Sequence, residues 1–282
     1  MRIDHDFHIH TNLSSCADET ATLENYLDNA RQYGLKKLGF TDHLWDSAID
    51  GARRWYQPQN FEHVVQLRKQ LEQAANSYRD VRLGRSETKP NEEKTDIQLY
   101  FGCEAEYDFA HRGIALSEEV AEQFDFILVP NSHTHLTMPK SFYGSYQEHA
   151  DYMVQAYEDI LSSPVSCYVT AVAHPFQAVN CPYGYGVMID LISDNQFERL
   201  FDRTAEKGIA FEINMADLSH GSNEEIARTP QMRMFRLAKK CGCKFIFGSD
   251  AHSKQPHGLY HRASFVADIL ELNKHDLIDL VR

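Results

Sequence analysis

Closely spaced histidines and carboxylates are the residues of this sequence best suited to chemistry. Residues 6–11 read DFHIHT and carry two histidines, separated by one residue, on a predicted strand. Side chains two positions apart on a strand point to the same side, so we expect Asp6 to share a face with His8 and His10. Two buried imidazoles on one face need polar partners, and a metal ion bound by both would be one.

Pairs of this kind recur along the chain. Asp42 directly precedes His43, and His252 follows Asp250 by two residues. The chain has 15 histidines in all. Histidine and carboxylate together are the usual protein ligands of zinc, iron and manganese. A single histidine is more often an ordinary hydrogen-bonding residue, but the set as a whole predicts a metal site.

The elements that must position these residues alternate between strands and helices. The predicted strands are short apolar runs at residues 3–9, 36–41, 97–104, 125–130, 168–174, 208–214 and 243–249. The predicted helices have apolar residues on one face and cover residues 22–33, 60–79, 145–162, 194–207, 230–241 and 261–281. Such alternation predicts a parallel sheet, so we expect one domain over residues 1–282, folded as a (β/α)7-like barrel. An open doubly wound sheet is the alternative.

Nearly all the candidate residues come at the carboxyl ends of the predicted strands. They are His8, His10, Asp42, His43, Glu104, His133, His174, Glu212, Asn214, Asp250 and His252. In a parallel α/β barrel these strand ends converge on one mouth, where active sites are built. Loops 46–58 and 180–187 contain aromatic residues and either line a pocket there or are plain surface connections.

Bulk properties exclude several classes of protein. The formal net charge of −13 argues against a general binder of nucleic acid or acidic membranes. No apolar run approaches the roughly 18 residues of a membrane span, and no apolar signal region opens the chain, so we expect a cytoplasmic protein. Six cysteines without a C-x-x-C pair indicate reduced thiols. No feature of the sequence predicts an oligomeric state.

The motifs, taken in order, resemble those of the polymerase and histidinol phosphatase (PHP) family. They are HIHT, TDH at 41–43, GCE at 102–104, SH at 132–133, AHP at 173–175 and GSDAH at 248–252. The resemblance runs from residue 6 to about residue 258. It implies a distorted seven-stranded, TIM-like (β/α)7 barrel, two or three divalent ions (often zinc, iron or manganese), and hydrolysis of phosphate esters.

The resemblance also implies a set of metal ligands: His8, His10, His43, Glu104, His133, His174, Asp250 and His252. Glu104 would bridge two metals, and the first-strand pair would share a metal with Asp250. The family usually places an acid or a histidine shortly after the H-x-H pair, where this chain reads TNLSSCADE. Asp18 is the first candidate for that ligand and Cys16 the second. His135 is the alternative to His133, which we favour.

A two-metal site with ions about 3.5–4 Å apart can bind phosphoryl oxygens and lower the pKa of a bridging water, so the nucleophile would be a metal-bound hydroxide. Asp42, Asp250 and His252 are candidates for moving its proton. Asp42 is equally a candidate for orienting the ligand His43, which is the role we favour. The candidates for binding the substrate are Arg53, Arg54, Lys254 and His257.

The sequence therefore predicts a metal-dependent phosphatase for a small phosphorylated metabolite, with histidinol phosphate as the leading candidate. A phosphodiesterase acting on nucleotides is one alternative. Another is an amidohydrolase-type enzyme that cleaves C–N or C–O bonds, which expects eight strands and a metal-bridging residue after the fourth. A catalytically silent binding protein of the same fold is the third. The acid on the third strand and the final SDAH favour the phosphoesterase.

Overall fold

The fold is seen in a computed structural model that describes residues 1–78, 97–178, 181, 184–216, 221–254 and 259–281. Within these ranges the strands are β1 (His5–Ile9), β2 (Lys37–Phe40), β3 (His43–Leu44), β4 (Gln98–Ala105), β5 (Tyr107–Asp108), β6 (Gly113–Ile114), β7 (Phe126–Pro130), β8 (Ala171–Ala173), β9 (Ala210–Asn214) and β10 (Lys244–Gly248). The α-helices are α1 (Leu23–Tyr33), α2 (Phe61–Tyr78), α3 (Glu118–Ala121), α4 (Thr134–Thr137), α5 (Tyr146–Ser162), α6 (Tyr185–Leu191), α7 (Asp194–Glu206), α8 (Asn223–Ala227), α9 (Pro230–Lys240) and α10 (Leu259–Ile269).

Seven parallel strands form a nearly closed barrel surrounded by helices. Their order is β1-β2-β4-β7-β8-β9-β10, which follows the chain. The last strand returns beside the first: the Asp250 N–H donates to the His8 carbonyl at 2.8 Å, and the His10 N–H donates to the Ala251 carbonyl at 2.9 Å. The predicted distorted (β/α)7 barrel is confirmed, and the open doubly wound sheet was the wrong alternative.

The second barrel strand is interrupted in the middle of the TDH motif. β2 and β3 both pair with β4 in one register, Lys37 opposite Gln98 and His43 opposite Glu104. They are therefore two parts of a single strand that breaks at Thr41 and resumes at His43. The register also sets His43 directly opposite Glu104, which brings two of the predicted ligands together.

The first strand contains a bulge. Its register with β2 shifts between Asp6 and Ile9, where β1 carries one residue more than its partner. His8 and His10 lie together, but the Asp6 carboxylate accepts a hydrogen bond from the Tyr260 hydroxyl at 2.9 Å. The predicted grouping of Asp6 with the two histidines is therefore wrong, because the extra residue breaks the simple alternation of the strand.

The larger helices begin and end near the predicted positions, for local reasons. Thr22 caps α1 by accepting a hydrogen bond from the Asn25 N–H, and Gly34 ends it in the left-handed conformation with φ 69°. Ser193 and Gln196 form a capping box at the start of α7. The final stretch 261–281, predicted as a helix or two, is α10 followed by two short 3-10 turns.

Some sequence expectations fall on residues outside the described ranges. The polar segment 84–95 lies wholly outside them, and of loop 180–187 residues 180, 182 and 183 do. In the part of the chain that is described, no helix combines the length and the apolar character needed to cross a bilayer. All six cysteines are free thiols.

The Phe126 ring packs where two glycines leave room inside the sheet. A Cβ atom on Gly102 would overlap this ring, and one on Gly39 would lie 2.6 Å from it. Phe7 of β1 meets the same ring edge-on, with a centroid separation of 5.0 Å. The two glycines therefore let one large aromatic side chain fill the space between β1, β2 and β4.

We predict that Gly102→Ala destabilises the protein by about 1–3 kcal/mol, because Phe126 must shift to admit the methyl group. The control is Gly186→Ala in α6, where the new Cβ would lie 3.5 Å from Pro230, an ordinary contact. Urea denaturation of both variants measures the difference in unfolding free energy. A Gly102→Ala protein as stable as the wild type would contradict this packing.

Candidate metal centre

The two histidines of the HIHT motif converge at the carboxyl end of β1. Their Nε2 atoms lie 3.1 Å apart, and both side chains are fully buried. Asp250, which follows β10, places its Oδ1 atom 3.4 Å from Nε2 of His8 and 3.2 Å from Nε2 of His10. Strands from the two ends of the chain thus build this corner together, because β1 and β10 are neighbours in the barrel.

Glu104 occupies the middle of the cluster and offers one oxygen to each side. Its Oε1 atom lies 3.0 Å from Nε2 of His174 and 3.7 Å from Nε2 of His133. Its Oε2 atom lies 2.9 Å from Nδ1 of His43 and 3.5 Å from Nε2 of His10. A buried carboxylate with histidines at both oxygens has the geometry of a bridging ligand.

Four overlapping groups of three residues have ligand atoms within 4.8 Å of one another. They are His8, His10 and Asp250; His8, Glu104 and His174; His43, Glu104 and His133; and His10, His43 and His252. Because the groups share members, they describe adjacent positions in one site. The structure brings eight of the nine residues predicted as ligands into this cluster.

Most of these histidines have Nδ1 bonded to a group behind the site. The partners are Glu212 Oε1 for His8 (2.8 Å), Ser14 Oγ for His10 (3.1 Å), Glu106 Oε2 for His133 (2.8 Å), Ser132 Oγ for His174 (2.5 Å) and the Asp250 carbonyl for His252 (2.8 Å). Where the partner is a carboxylate or a carbonyl, as at His8, His133 and His252, it accepts from the Nδ1–H, which fixes the tautomer and leaves the Nε2 lone pair free for a metal.

This arrangement fits a cation at the centre of the cluster. Glu212 is a carboxylate, so Nδ1 of His8 donates to it. The Ser14 hydroxyl donates to Asp42 at 2.6 Å, so it accepts from Nδ1 of His10. Both Nε2 atoms are then lone pairs 3.1 Å apart, a repulsive contact unless a proton or a metal ion lies between them. One proton can join a single pair of atoms, whereas a metal ion satisfies three or four acceptors.

The pKa directions agree with a site built for positive charge. Burial opposes charge on His8, but the carboxylates of Glu212, Asp250 and Glu104 raise its pKa well above the usual value. Burial, reinforced by nearby His252 and His43, holds the pKa of His10 well below its usual value. Burial also opposes ionisation of Glu104, yet the surrounding histidines hold its pKa well below the usual value. The Glu104 carboxylate is therefore ionised and attracts a cation.

Asp42 lies behind the cluster. Its carboxylate accepts hydrogen bonds from the Thr11 N–H at 2.7 Å, the Thr11 hydroxyl at 2.6 Å and the Ser14 hydroxyl at 2.6 Å. Through Ser14 it supports Nδ1 of His10 and also the His43 N–H, which donates to Ser14 at 3.2 Å. Its place therefore suits an orienting role, the one favoured from the sequence, and the histidine that it orients is chiefly His10.

Two candidate ligands stand on strained backbone. His174 has φ 25° and Asp250 has φ 54°, in the region that favours glycine. Gly248, two residues before Asp250, has no space for a side chain, since a Cβ there would overlap both Glu212 and His8. Backbone strain that the surrounding structure sustains is typical of functional sites.

The open side of the site carries His252 and an aromatic loop. His252 is partly exposed, and its ring stacks on His10 with centroids 4.2 Å apart. Trp55, in the predicted loop 46–58, meets the His43 ring at 5.1 Å. The reading of this loop as a wall of the site thus agrees with the geometry.

Three residues near the motifs lie apart from the four groups. Asp18 is exposed, and its carboxylate accepts from the N–H and hydroxyl of Thr20 at 2.7 and 2.6 Å. The structure therefore does not bring Asp18 into the cluster. Cys16 is also exposed, within hydrogen-bonding reach of His43. His135 lies beside His133, with ring centroids 5.9 Å apart, and has a buried Nδ1 without a hydrogen-bond partner.

The structure describes three of the four residues predicted to bind the substrate. Arg53 and Arg54 are exposed on the loop that carries Trp55. Lys254 is exposed after the SDAH motif, and its N–H donates to Thr20 Oγ at 3.0 Å. His257 lies outside the described residues.

The sequence analysis missed the groups that hold the histidines. Glu106 and Glu212 are buried carboxylates, and Ser14 and Ser132 are buried hydroxyls. Glu106 follows Glu104 by two residues, the spacing that also pairs His8 with His10, and this signal could have identified it. Glu212 was noticed at its strand end but was given no role. Ser14 and Ser132 carry no such signal. Ser14 bonds to Asp42, 28 residues away in the sequence, and Ser132 bonds to His174, 42 residues away, so both contacts form only in the folded chain.

We predict that Asp250→Asn lowers the zinc content of the protein, because an amide replaces a charged oxygen that faces both His8 and His10. Asp18→Asn, the matched control, should retain the full content because Asp18 lies outside the cluster. Elemental analysis after dialysis against buffered zinc measures both. Equal losses in the two variants, or no loss in Asp250→Asn, would contradict this geometry.

Comparisons with solved protein structures agree with the fold. The chain is similar to a histidinol phosphate phosphatase from Lactococcus lactis subsp. lactis Il1403 in complex with zinc, L-histidinol and phosphate; the TM-score is 0.68, the identity 14%, and 98% of each chain is covered. It is also similar to a candidate histidinol phosphatase from Listeria monocytogenes, with a TM-score of 0.63, 14% identity, and coverage of 90% of this chain and 98% of that one. At this identity the two likenesses show the fold alone.

A search of curated protein sequences finds no match. The model of the PHP domain family, by contrast, matches residues 6–216, most of the chain. This span contains the HIHT, TDH, GCE, SH and AHP motifs. The chain therefore belongs to the PHP domain family of metal-dependent phosphoesterases.

Proposed function

We propose that this protein hydrolyses the phosphate monoester of a small metabolite at a site that holds two or three divalent metal ions, and that histidinol phosphate is the first substrate to test. The observation that carries the proposal is the convergence of His8 and His10 on Asp250 and Glu104. Acceptor atoms this close together in a buried site are most simply reconciled by bound cations.

The ligands divide naturally around Glu104. One ion would be held by His8, His10 and Asp250, and a second by His43 and His133, with Glu104 between them. His174 faces Glu104 Oε1 and completes the side toward His8. A third position near His10, His43 and His252 is the one for which Asp18 or Cys16 was predicted as a further ligand. Zinc, iron and manganese all suit imidazole and carboxylate donors.

Bound divalent ions would supply positive charge to the phosphoryl oxygens and lower the pKa of a bound water. In the hydrolysis, a water oxygen forms a bond to phosphorus, the P–O bond to the metabolite breaks, and the leaving oxygen takes a proton. Of the proposed proton carriers, Asp250 and the partly exposed His252 face the open side of the cluster. Asp42 would instead hold His10 in place, since its oxygens are occupied by Thr11 and Ser14.

The open side would also bind the organic part of the substrate. Arg53 and Arg54 are exposed on the loop that also carries Trp55, the residue in contact with His43. Both arginines therefore belong to the proposed wall of the pocket. Lys254 and His257 remain predictions for the opposite rim. These cations would complement a phosphate dianion in a chain of formal charge −13. A cytoplasmic location likewise remains a prediction.

The choice of histidinol phosphate rests on the family resemblance and on a structural neighbour that binds L-histidinol and phosphate. The amidohydrolase alternative finds less support, because the described part of the chain forms a barrel of seven strands and its central acid lies on β4, the third barrel strand. The gathering of eight candidate ligands into one cluster argues against a catalytically silent protein.

We predict that the purified protein hydrolyses p-nitrophenyl phosphate, that a chelator abolishes this activity, and that zinc, manganese or ferrous iron restores it. His8→Ala should reduce turnover by more than the roughly 10–100-fold that loss of a partner behind a ligand costs. His261→Ala is the control, because His261 is exposed on α10. Phosphatase activity indifferent to the chelator, or retained in His8→Ala, would refute the proposal.

The substrate is tested separately. Phosphate release is measured for histidinol phosphate and for a panel of sugar, amino-alcohol and nucleoside monophosphates. We expect histidinol phosphate to give a kcat/KM well above the panel. Hydrolysis of p-nitrophenyl phosphate with no preference for histidinol phosphate would leave the reaction standing and reject this substrate.

A further inference from the structure

A buried tyrosine is joined to the metal cluster through one carboxylate. The Tyr56 hydroxyl donates a hydrogen bond to Glu106 Oε2, and the same oxygen accepts from Nδ1 of His133 at 2.8 Å. Tyr56 and Glu106 are 0% and 1% exposed, so water does not compete for these bonds. The Tyr107 N–H satisfies the other oxygen of Glu106 at 2.9 Å. Tyr56, Glu106 and His133 thus form a continuous chain of hydrogen bonds that ends at a proposed metal ligand.

The same tyrosine anchors the loop over the site. Tyr56 packs with Trp45 and Ala115 in a small core of its own, separate from the main one, and Trp55 packs against this core. The rings of Trp55 and Tyr56 meet edge to face at 4.7 Å. Trp55 in turn lies against His43. The loop therefore meets the cluster twice, through Glu106 to His133 and directly at His43.

Hydrogen bonds of the backbone and of the Gln59 side chain hold this loop in one conformation. The Trp45 N–H donates to the Gln59 carbonyl at 2.9 Å and closes the loop at its base. The Gln59 side chain donates to the Trp55 carbonyl at 3.0 Å and accepts from the Ser15 N–H at 2.9 Å, which ties the loop to the segment after β1. A displacement of Tyr56 would therefore move Trp55 relative to His43.

We infer that Tyr56 is a positioning residue that couples the aromatic loop, residues 45–60, to the metal centre. Its hydroxyl holds Glu106, which orients His133. Its ring holds Trp55 against His43. The inference rests on the proposed function for the presence of metal. Binding of metal at His133 and seating of the loop then favour each other, because both require Glu106 in one position. The pocket wall would be complete only in the metal-loaded protein.

The competing explanation is that Tyr56 merely fills space. Tyr107 supplies a matched control for it, since its hydroxyl also donates to a buried carboxylate, Asp159, at 2.7 Å, and its ring is 1% exposed. Asp159 bonds to Arg112 and to no histidine of the cluster. Tyr107→Phe keeps the backbone N–H that serves Glu106. Both variants delete one buried hydroxyl, but only Tyr56→Phe breaks the line to His133.

The first measurement is zinc affinity by competition with a chromophoric chelator. We expect Tyr56→Phe to bind its weakest zinc ion about 10-fold or more less tightly than the wild type, the size of effect known for partners behind a ligand. Tyr107→Phe should bind zinc as the wild type does, although both variants lose thermal stability. Glu106→Gln should match or exceed the effect of Tyr56→Phe.

The second measurement is tryptophan fluorescence, which reports this loop because both tryptophans of the chain, Trp45 and Trp55, lie in it. In a Trp45→Phe background, adding zinc to metal-free protein should shift the emission of Trp55. Tyr56→Phe should reduce this shift and Tyr107→Phe should not.

Unchanged zinc affinity in Tyr56→Phe, or an equal loss in Tyr107→Phe, would overturn the inference and leave the proposed function intact. In the Trp45→Phe protein with Tyr56 intact, a Trp55 emission that zinc does not change would overturn the coupling of the loop. A wild-type protein that binds no zinc, manganese or iron would overturn both proposals.

Discussion

The convergence of histidine nitrogens and carboxylate oxygens at the mouth of the barrel is the constraint on which the rest of this structure depends. His8 and His10 present Nε2 to each other at 3.1 Å, and ionised carboxylates face the same point. Such an arrangement is unfavourable without positive charge and favourable around a divalent ion. The groups behind the site fix the tautomers, so the histidines cannot relieve the contact by turning. With its raised pKa, His8 can place a proton between the two nitrogens, whereas a divalent ion would satisfy both nitrogens and the neighbouring carboxylate together.

The barrel supplies the rigidity for this arrangement. The return of β10 beside β1 places Asp250 next to the HIHT pair, and the common register of β2 and β3 places His43 opposite Glu104. Glycines permit the tightest approaches, with Gly248 beneath Glu212 and His8. The surrounding sheet stabilises the strained backbone at His174 and Asp250. Chemistry is thus concentrated at one end of a scaffold whose other layers are ordinary apolar packing.

Much of this architecture could be predicted from the sequence, because strands buried on both faces read as apolar runs and ligands at their ends interrupt those runs. Pairs such as His8 with His10 were visible for the same reason. The bulge that separates Asp6 from them was not, since nothing local distinguishes a bulged strand from a regular one. The position of Asp42 behind His10 depends on Ser14, a contact made only in the folded chain. Tyr56 and Glu106 likewise lie 50 positions apart and meet through the fold.

The most direct test of the central claim is anomalous X-ray diffraction at the zinc edge, from crystals grown with zinc and phosphate. The account predicts two or three anomalous peaks around Glu104, with one of them within about 2.0–2.1 Å of Nε2 of both His8 and His10. The absence of a peak between these two nitrogens, with zinc bound elsewhere or not at all, would contradict it.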